Sequence, residues 1–314
     1  MITIVRDWRE VPAPLRGASV ALGNFDGVHR GHVEVLAAAH QARPDAPRAV
    51  LSFAPHPREF FRPDDPPFRL TLEAERAAAL AEQGVSILYE LPFDRHFSTL
   101  TAEAFIGDVL HRGIGAVHLA CGADFAFGHR RGGNVTLLRQ QAEALGIGLS
   151  VVPHLDDAEG PISSTRIRRL LQDGYPERAA SLLGRPHVIR GVVAHGDARG
   201  RTIGFPTANI ALGRHVEPAR GVYAVTAALE DGRIVKGVAN IGRRPTVADG
   251  AIARVEAHLF DFAGDLYGQE IAVSLHHFLR DERKFESFDA LRRQIGLDAD
   301  EARQFLAGIA PEQP

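Results

Sequence analysis

In "ALGNFDGVHRGHVEVL", residues 21 to 36, Gly23, Gly27 and Gly31 are spaced by four, and His29 and His32 follow three residues apart. The stretch runs into an amphipathic pattern, so the histidines fall on the opening turn of a helix. A helix N terminus presents unpaired N–H groups and a partial positive charge, and small residues let a phosphate chain approach it. Imidazoles three apart share one side of that turn and can donate to phosphate oxygens. The pattern suits a nucleotide phosphate cradle. On spacing alone, a tight strand-to-helix turn, an idle histidine pair and a zinc pair also fit, although zinc would need further ligands and there is neither an HExxH pattern nor a second cysteine.

A second stretch, "HGDARGRTIGFPTANI" (195 to 210), again spaces Gly196, Gly200 and Gly204 by four. Arg199 and Arg201 on such a loop could hold phosphates or simply be solvated. Thr207 and Asn209, two apart, lie on one face of an extended segment. In "RVEAHLF" (254 to 260), Val255, Ala257 and Leu259 share one strand face, and Arg254, Glu256 and His258 share the other. Periodicity alone makes Glu256 an exposed carboxylate.

The elements that must hold these residues are legible in the pattern. Short apolar runs alternate with helical ones: "ASVALGNF" then 31 to 42, "RAVLSF" then 71 to 83, "VSILYEL" then 101 to 112, "AVHLAC" then 134 to 145, and "GLSVVP". That rhythm predicts an α/β unit with a parallel sheet covered on both faces, binding ligands beyond the carboxyl ends of its strands. After the helical pieces "STRIRRLLQDG" and "PERAASLLG" the chain becomes β-rich. "GVYAVTAALE" and "RIVKGVANIG" flank Asp231-Gly232, a pair that suits a tight type I′ turn. With "RVEAHLFDF", "EIAVSLHHFL" and a terminal helical stretch, this half reads as a mostly antiparallel barrel closed by a helix.

The chain has 314 residues, long enough for two domains. It is 45% apolar and 24% charged, with no apolar run that could span a bilayer and no secretory pattern in "MITIVRDWRE". The expectation is a cytoplasmic protein without membrane contact. Cys121, the single cysteine, excludes an internal disulfide. A net charge of -3 gives no footprint for nucleic acid. Only two lysines occur, Lys236 and Lys284, so no Walker-type loop precedes residue 236. Nucleotide chemistry there rests on backbone N–H groups, arginines and histidines.

His29-Arg30-Gly31-His32 resembles the HxGH signature of the nucleotidyltransferases, and "GNFDGVHRGH" is similar to the ATP-binding segment of the bacterial bifunctional riboflavin kinase/FAD synthetases. "FAPHP" (53 to 57), "CGADFAFGHRRGGN" (121 to 134) and "ISSTRIR" (162 to 168) resemble that family's adenylyltransferase motifs, in its order. "GFPTAN" (204 to 209) resembles the riboflavin kinase signature, and the likeness continues through "GVYAV", "GVANIGRRPTV", "VEAHLFDFAGDLYG" and "FLRDERKFESFDAL".

The resemblance implies a Rossmann-like nucleotidyltransferase domain over residues 1–183 and a riboflavin-kinase-like antiparallel β-barrel with a terminal helix over 184–314. Riboflavin would be phosphorylated by ATP to FMN with Mg²⁺, and FMN adenylylated by ATP to FAD with release of pyrophosphate. ATP for the second step would lie on Gly23, Asn24, Phe25, Gly27, His29, His32, Ser163, Ser164, Thr165 and Arg166, and FMN near Asp124 and Phe125. In the kinase half ATP would meet Gly196, Arg201, Gly204, Thr207 and Asn209, the last two also presenting oxygens to Mg²⁺. Glu256 would be the base, and Arg280 and Phe285 would contact flavin. Alternatives are a single-activity member with one decayed site, a flavin-sensing regulator and another nucleotidyltransferase. Oligomeric state is not legible. One departure is Arg243-Arg244 in "GRRPTV", which adds charge to a loop expected near the second site.

Overall fold

The computed structural model describes residues 2–195, 205–244 and 252–309. The chain forms two compact units: residues 1–65 with 71–163, and residues 66–70 with 164–314.

In the first unit six strands make one parallel sheet: β1 (Thr3–Val5), β2 (Ser19–Leu22), β3 (Arg48–Ala54), β4 (Ile87–Pro92), β5 (His118–Gly122) and β6 (Gly148–Val152), in the order β1-β4-β3-β2-β5-β6. All five pairings are parallel. Alternate residues feed opposite faces, as the pleat requires. Val20, Leu22, Leu51, Tyr89, Leu91, Leu119 and Cys121 enter one core, while Ala21, Val50, Leu88 and Ala120 enter the other. Strands buried on both faces explain the uninterrupted apolar runs. The edge strand β1 is too short to give a sequence signal.

Helices α1 (Arg30–Ala42), α2 (Pro57–Phe61), α3 (Glu73–Glu82), α4 (Arg95–Ser98) and α5 (Ala102–Ala104) follow their strands, and α5 runs directly into a wider, π-wound stretch, Phe105–Ile114. α6 (Val135–Ala144) and the small hairpin β7 (Asp156–Asp157) and β8 (Gly160–Pro161) complete the unit.

The second unit begins with α7 (Ser164–Gln172) and α8 (Pro176–Leu183), then β9 (His187–Val192), β10 (Ala208–Ala211), β11 (Gly221–Ala228), β12 (Ile234–Arg244), β13 (Ile252–Leu259) and β14 (Glu270–Asp281). Their order is β10-β13-β12-β11-β14-β9, all antiparallel. The Ala194 N–H donates to Asn209 O at 2.9 Å, drawing the two edges together into a nearly closed barrel. Ile210, Tyr223, Ile241, Val255, Val273 and Leu275 fill its interior. Helix α9 (Phe288–Ala307) packs Ala299, Ala302 and Leu306 against Val222, Ala224 and Val238 on the outside.

The β11–β12 hairpin forms, but its turn is not type I′. Leu229 N–H donates to Arg233 O (2.9 Å) and Gly232 N–H to Leu229 O (3.0 Å), closing a three-residue loop in which Gly232 has φ +82° and Asp231 does not share a positive φ. Asp231 instead accepts from the Arg233 N–H at 3.0 Å, favouring the longer loop with a left-handed glycine.

Candidate functional site

The first site lies where β2 ends and α1 begins. His29 is the N-cap of α1, its Nδ1 accepting from the His32 N–H at 3.3 Å. An accepting Nδ1 places the neutral ring's proton on Nε2. The His29 and His32 rings stack with centroids 3.6 Å apart, and Phe25 tilts against His32 at 5.0 Å. Gly31 permits this: a Cβ there would lie 3.3 Å from both the His29 ring and the Ile162 carbonyl.

The loop between is strained. Phe25 (φ +51°) and Val28 (φ +43°), both buried, share the left-handed region with Gly27 (φ +87°). Each bulky residue there costs on the order of 1–3 kcal/mol, so the surroundings must impose the shape. They do so through hydrogen bonds. Asp26, buried, accepts from the Thr71 N–H at 3.0 Å, and the Gly27 N–H donates to Thr71 Oγ1 at 2.9 Å. Asn24 O accepts from Ser52 Oγ (3.0 Å) and from Arg76 Nη1 (3.2 Å). The Gly27 N–H, read in the sequence as facing phosphate, is thus engaged with a side chain.

Two further motifs of the first unit follow β3 and β5. His56 of "FAPHP" caps α2, reciprocally with Glu59. Phe53, at the end of β3, meets Phe93 (5.3 Å) and Phe97 (5.1 Å) edge-on, and Phe60 and Phe61 extend this aromatic row through Phe93. Past β5, Asp124 is exposed with Oδ1 4.0 Å from His154 Nε2, while Phe125 stacks on Phe127 at 5.3 Å. Ser163 is the last residue of the first unit; Ser164, Thr165 and Arg166 form the first turn of α7, in the second.

In the second unit, Asn209 of β10 pairs with Glu256 of β13, and Glu256 pairs on its other side with Asn240 of β12. The three share the face away from the core, whereas the neighbouring row Ile210, Val255 and Ile241 is fully buried. Glu256 is half-buried rather than exposed. Asn209 is buried; its Nδ2 donates to Thr207 O (3.2 Å) and Oγ1 (3.4 Å), while its Oδ1 has no hydrogen-bond partner. Two residues along from Glu256, the His258 ring nitrogen Nδ1 donates to Pro206 O at 2.9 Å, and the ring packs edge-on to Phe205. Gly196, Arg201 and Gly204 lie outside the described residues. Among the described residues no cluster of three His, Cys, Asp or Glu side chains could hold a metal.

Arg280 makes a bidentate ion pair with Asp298 of α9 (2.9 and 2.6 Å), and Asp298 also accepts from Gln294 at 2.7 Å. Phe285 lies beneath the guanidinium groups of Arg280 (5.7 Å) and Arg283 (5.0 Å). Asn240 donates to Glu282 at 3.1 Å. Arg243 is held by Glu217 with Nε 3.0 Å from Oε2, and Glu217 also binds Arg220 at 2.9 Å. Burial raises the Glu217 pKa, but the hydrogen bonds from Arg243 and Arg220 outweigh it and leave that carboxyl below its ordinary value.

Sequence reasoning missed Asp26, Thr71, Ser52, Arg76 and Asn240. Arg76 carried a signal: it is a charge on the apolar stripe of a helix, four residues from both Leu72 and Leu80. Asn240 carried none, because only the sheet order sets it beside Glu256.

The FAD synthetase family model matches residues 11–166 and the riboflavin kinase model residues 183–306. The bifunctional riboflavin kinase/FMN adenylyltransferase of Escherichia coli (strain K12) is 43% identical over 301 residues, covering 95% of this chain and 96% of that protein. Those of Haemophilus influenzae (41%, covering 96% and 99%) and Bacillus subtilis (37%, covering 92% and 93%) are also similar. Among solved structures, one described as a macrolide-efflux protein from Streptococcus pneumoniae superposes with a TM-score of 0.86 at 35% identity, covering 96% of this chain and 98% of that one. Among the described residues no helix is long and apolar enough to cross a membrane.

Proposed function

The chain belongs to the bifunctional riboflavin kinase/FMN adenylyltransferase family, and from that premise we propose which of its residues carry each transfer. It phosphorylates riboflavin with ATP to FMN, and adenylylates FMN with ATP to FAD, releasing pyrophosphate. Both halves match a family model, which leaves the single-activity alternative without support. We place the working division at 183/184, a reading supported by a riboflavin kinase match that begins near it, whereas the compact units divide at 163/164.

In the kinase half, Glu256 takes the proton from the ribityl 5′-hydroxyl as that oxygen bonds to the γ-phosphorus and the bond to the β,γ-bridging oxygen breaks, freeing ADP. Thr207 and Asn209 would hold Mg²⁺, which when bound shields the ATP oxygens. Their fit is supported by the buried Asn209 Oδ1 with no hydrogen-bond partner, the kind of hard oxygen that this cation takes. The directly opposed Asn209 and Glu256 are the observation that carries this reading. Gly196, Arg201 and Gly204 would complete the phosphate side. Phe285 offers flavin an aromatic face, with Arg280 fixed above it by Asp298.

In the adenylyltransferase half, an FMN phosphate oxygen attacks the α-phosphorus of ATP and the α,β-bridging bond breaks. No covalent enzyme intermediate is needed; the work is alignment and charge stabilisation. His29, through Nε2–H, and His32 donate to the phosphate oxygens on the loop of Gly23, Asn24, Phe25 and Gly27, with Ser163 as a further phosphate ligand. Asp124 and Phe125 lie on the flavin side. A cytoplasmic location accords with these soluble substrates.

Purified protein given riboflavin, ATP and Mg²⁺, followed by chromatography, should yield FMN and then FAD, and chelation of the metal should stop FMN formation. FMN formation that persists with excess chelator would remove Thr207 and Asn209 from the role of metal ligands.

A further inference from the structure

Arg76 of α3 has a fully buried guanidinium in the first unit. Its Nη1 donates to Asn24 O at 3.2 Å, and its Nη2 to Phe53 O at 3.3 Å and to Glu90 Oε1 at 2.9 Å. One planar group thus joins three strands: β2 through the loop after it, the end of β3 where "FAPHP" begins, and β4 through its counter-ion. Glu90 is itself buried and also accepts from Arg6 at 3.2 Å. A guanidinium is the only side chain whose fixed fork can donate to two carbonyls and a carboxylate at once.

The Asn24 carbonyl matters because the next residue, Phe25, turns left-handed at φ +51°. A bulky residue adopts that conformation only when its surroundings over-determine it. On one side of Phe25 the chain is held by Arg76 and Ser52 at Asn24 O; on the other it is held by Asp26 and Gly27 on Thr71. The loop then leads straight into His29, the cap of α1. We infer that Arg76, with Glu90 as its counter-ion, is a positioning residue for adenylyl transfer: it holds the strained loop 24–28 so that His29 and His32 meet the ATP phosphates, and it keeps that loop in register with the Phe53 segment. Arg76 touches no substrate. The inference rests on the assignment of His29 and His32 to the ATP phosphates under Proposed function.

Arg76→Met, Arg76→Lys and His32→Ala, each in the full chain, test it by steady-state kinetics of both reactions on one sample. The only tryptophan, Trp8, packs against the first unit's core, so its emission reports whether that unit is folded. Arg76→Met should lower kcat/KM for ATP in FAD formation about 100-fold, chiefly by raising KM. Riboflavin phosphorylation and Trp8 emission should not change. Arg76→Lys keeps the charge opposite Glu90 but cannot span both carbonyls, so it should recover part of the loss and stay about 10-fold below the parent. If Arg76→Met unfolds the first unit, the lysine variant decides: a raised KM for ATP supports the inference, and parental kinetics overturn it. A fall in kcat at unchanged KM, tracking a lost folded fraction, marks a merely structural pair and also overturns it. Intact FAD synthesis in His32→Ala would instead refute the reading of the loop itself, whatever the Arg76 variants show.

Discussion

Asn209 and Glu256 stand directly opposite each other on β10 and β13, on the face turned away from the barrel core. The pairing brings a buried amide oxygen beside a half-buried carboxylate, although the two residues are far apart in the chain. In the roles proposed for them, Asn209 as a cation ligand and Glu256 as the base, the two would serve one phosphoryl transfer.

Glu256→Gln should therefore lower the rate of FMN formation from riboflavin about 10²–10⁴-fold, or roughly 3 to 5 kcal/mol of barrier. FAD formation from supplied FMN should continue at the parental rate. Chromatographic rates for the two half-reactions check this, and equal loss of both would remove the two-site assignment.

Asn209→Ala should shift the Mg²⁺ dependence of FMN formation to higher concentration, because one oxygen ligand is lost. A Mg²⁺ titration of each half-reaction measures it. The adenylylation curve serves as the internal control and should not move.

Asp298→Ala strips the Arg280 guanidinium of its bidentate partner, and the Asp298 carboxylate is 4% exposed. Removing one member of so buried a pair should cost about 3 kcal/mol. Denaturant unfolding would show the loss, together with faster proteolysis within α9. The loss should fall on the kinase reaction, since Phe285 leans on Arg280.

Cys121 should resist thiol reagents in the native protein near pH 8 and react fully once it unfolds. Its side chain is fully buried, and burial pushes the thiol up from 9.0 to about 11. The linkage has a definite sign. A pKa raised on folding contributes stability below pH 9, and that stability is lost as pH rises from about 9 towards 11. Melting curves across that range should show the decline, and Cys121→Ser should flatten its part below pH 10, above which the buried Tyr89 and Tyr223 hydroxyls, also raised by burial, add their own loss.

Local facts were legible in the residue order: which apolar runs become strands, that His29 and His32 open a helix, and that Glu256 lies on the strand face opposite to Val255 and Ala257. Periodicity reports the face a side chain occupies, and glycine and capping residues report where an element starts. Neither reports which strand lies next to which. Long-range packing sets β13 between β10 and β12, so that Glu256 is flanked by Asn209 and Asn240. It likewise turned Arg76 inward to grip Asn24 and Phe53, and bound Arg280 to Asp298. These outcomes depend on long-range register and on the energetic need to partner every buried charge and amide, conditions that exist only once distant segments are packed together.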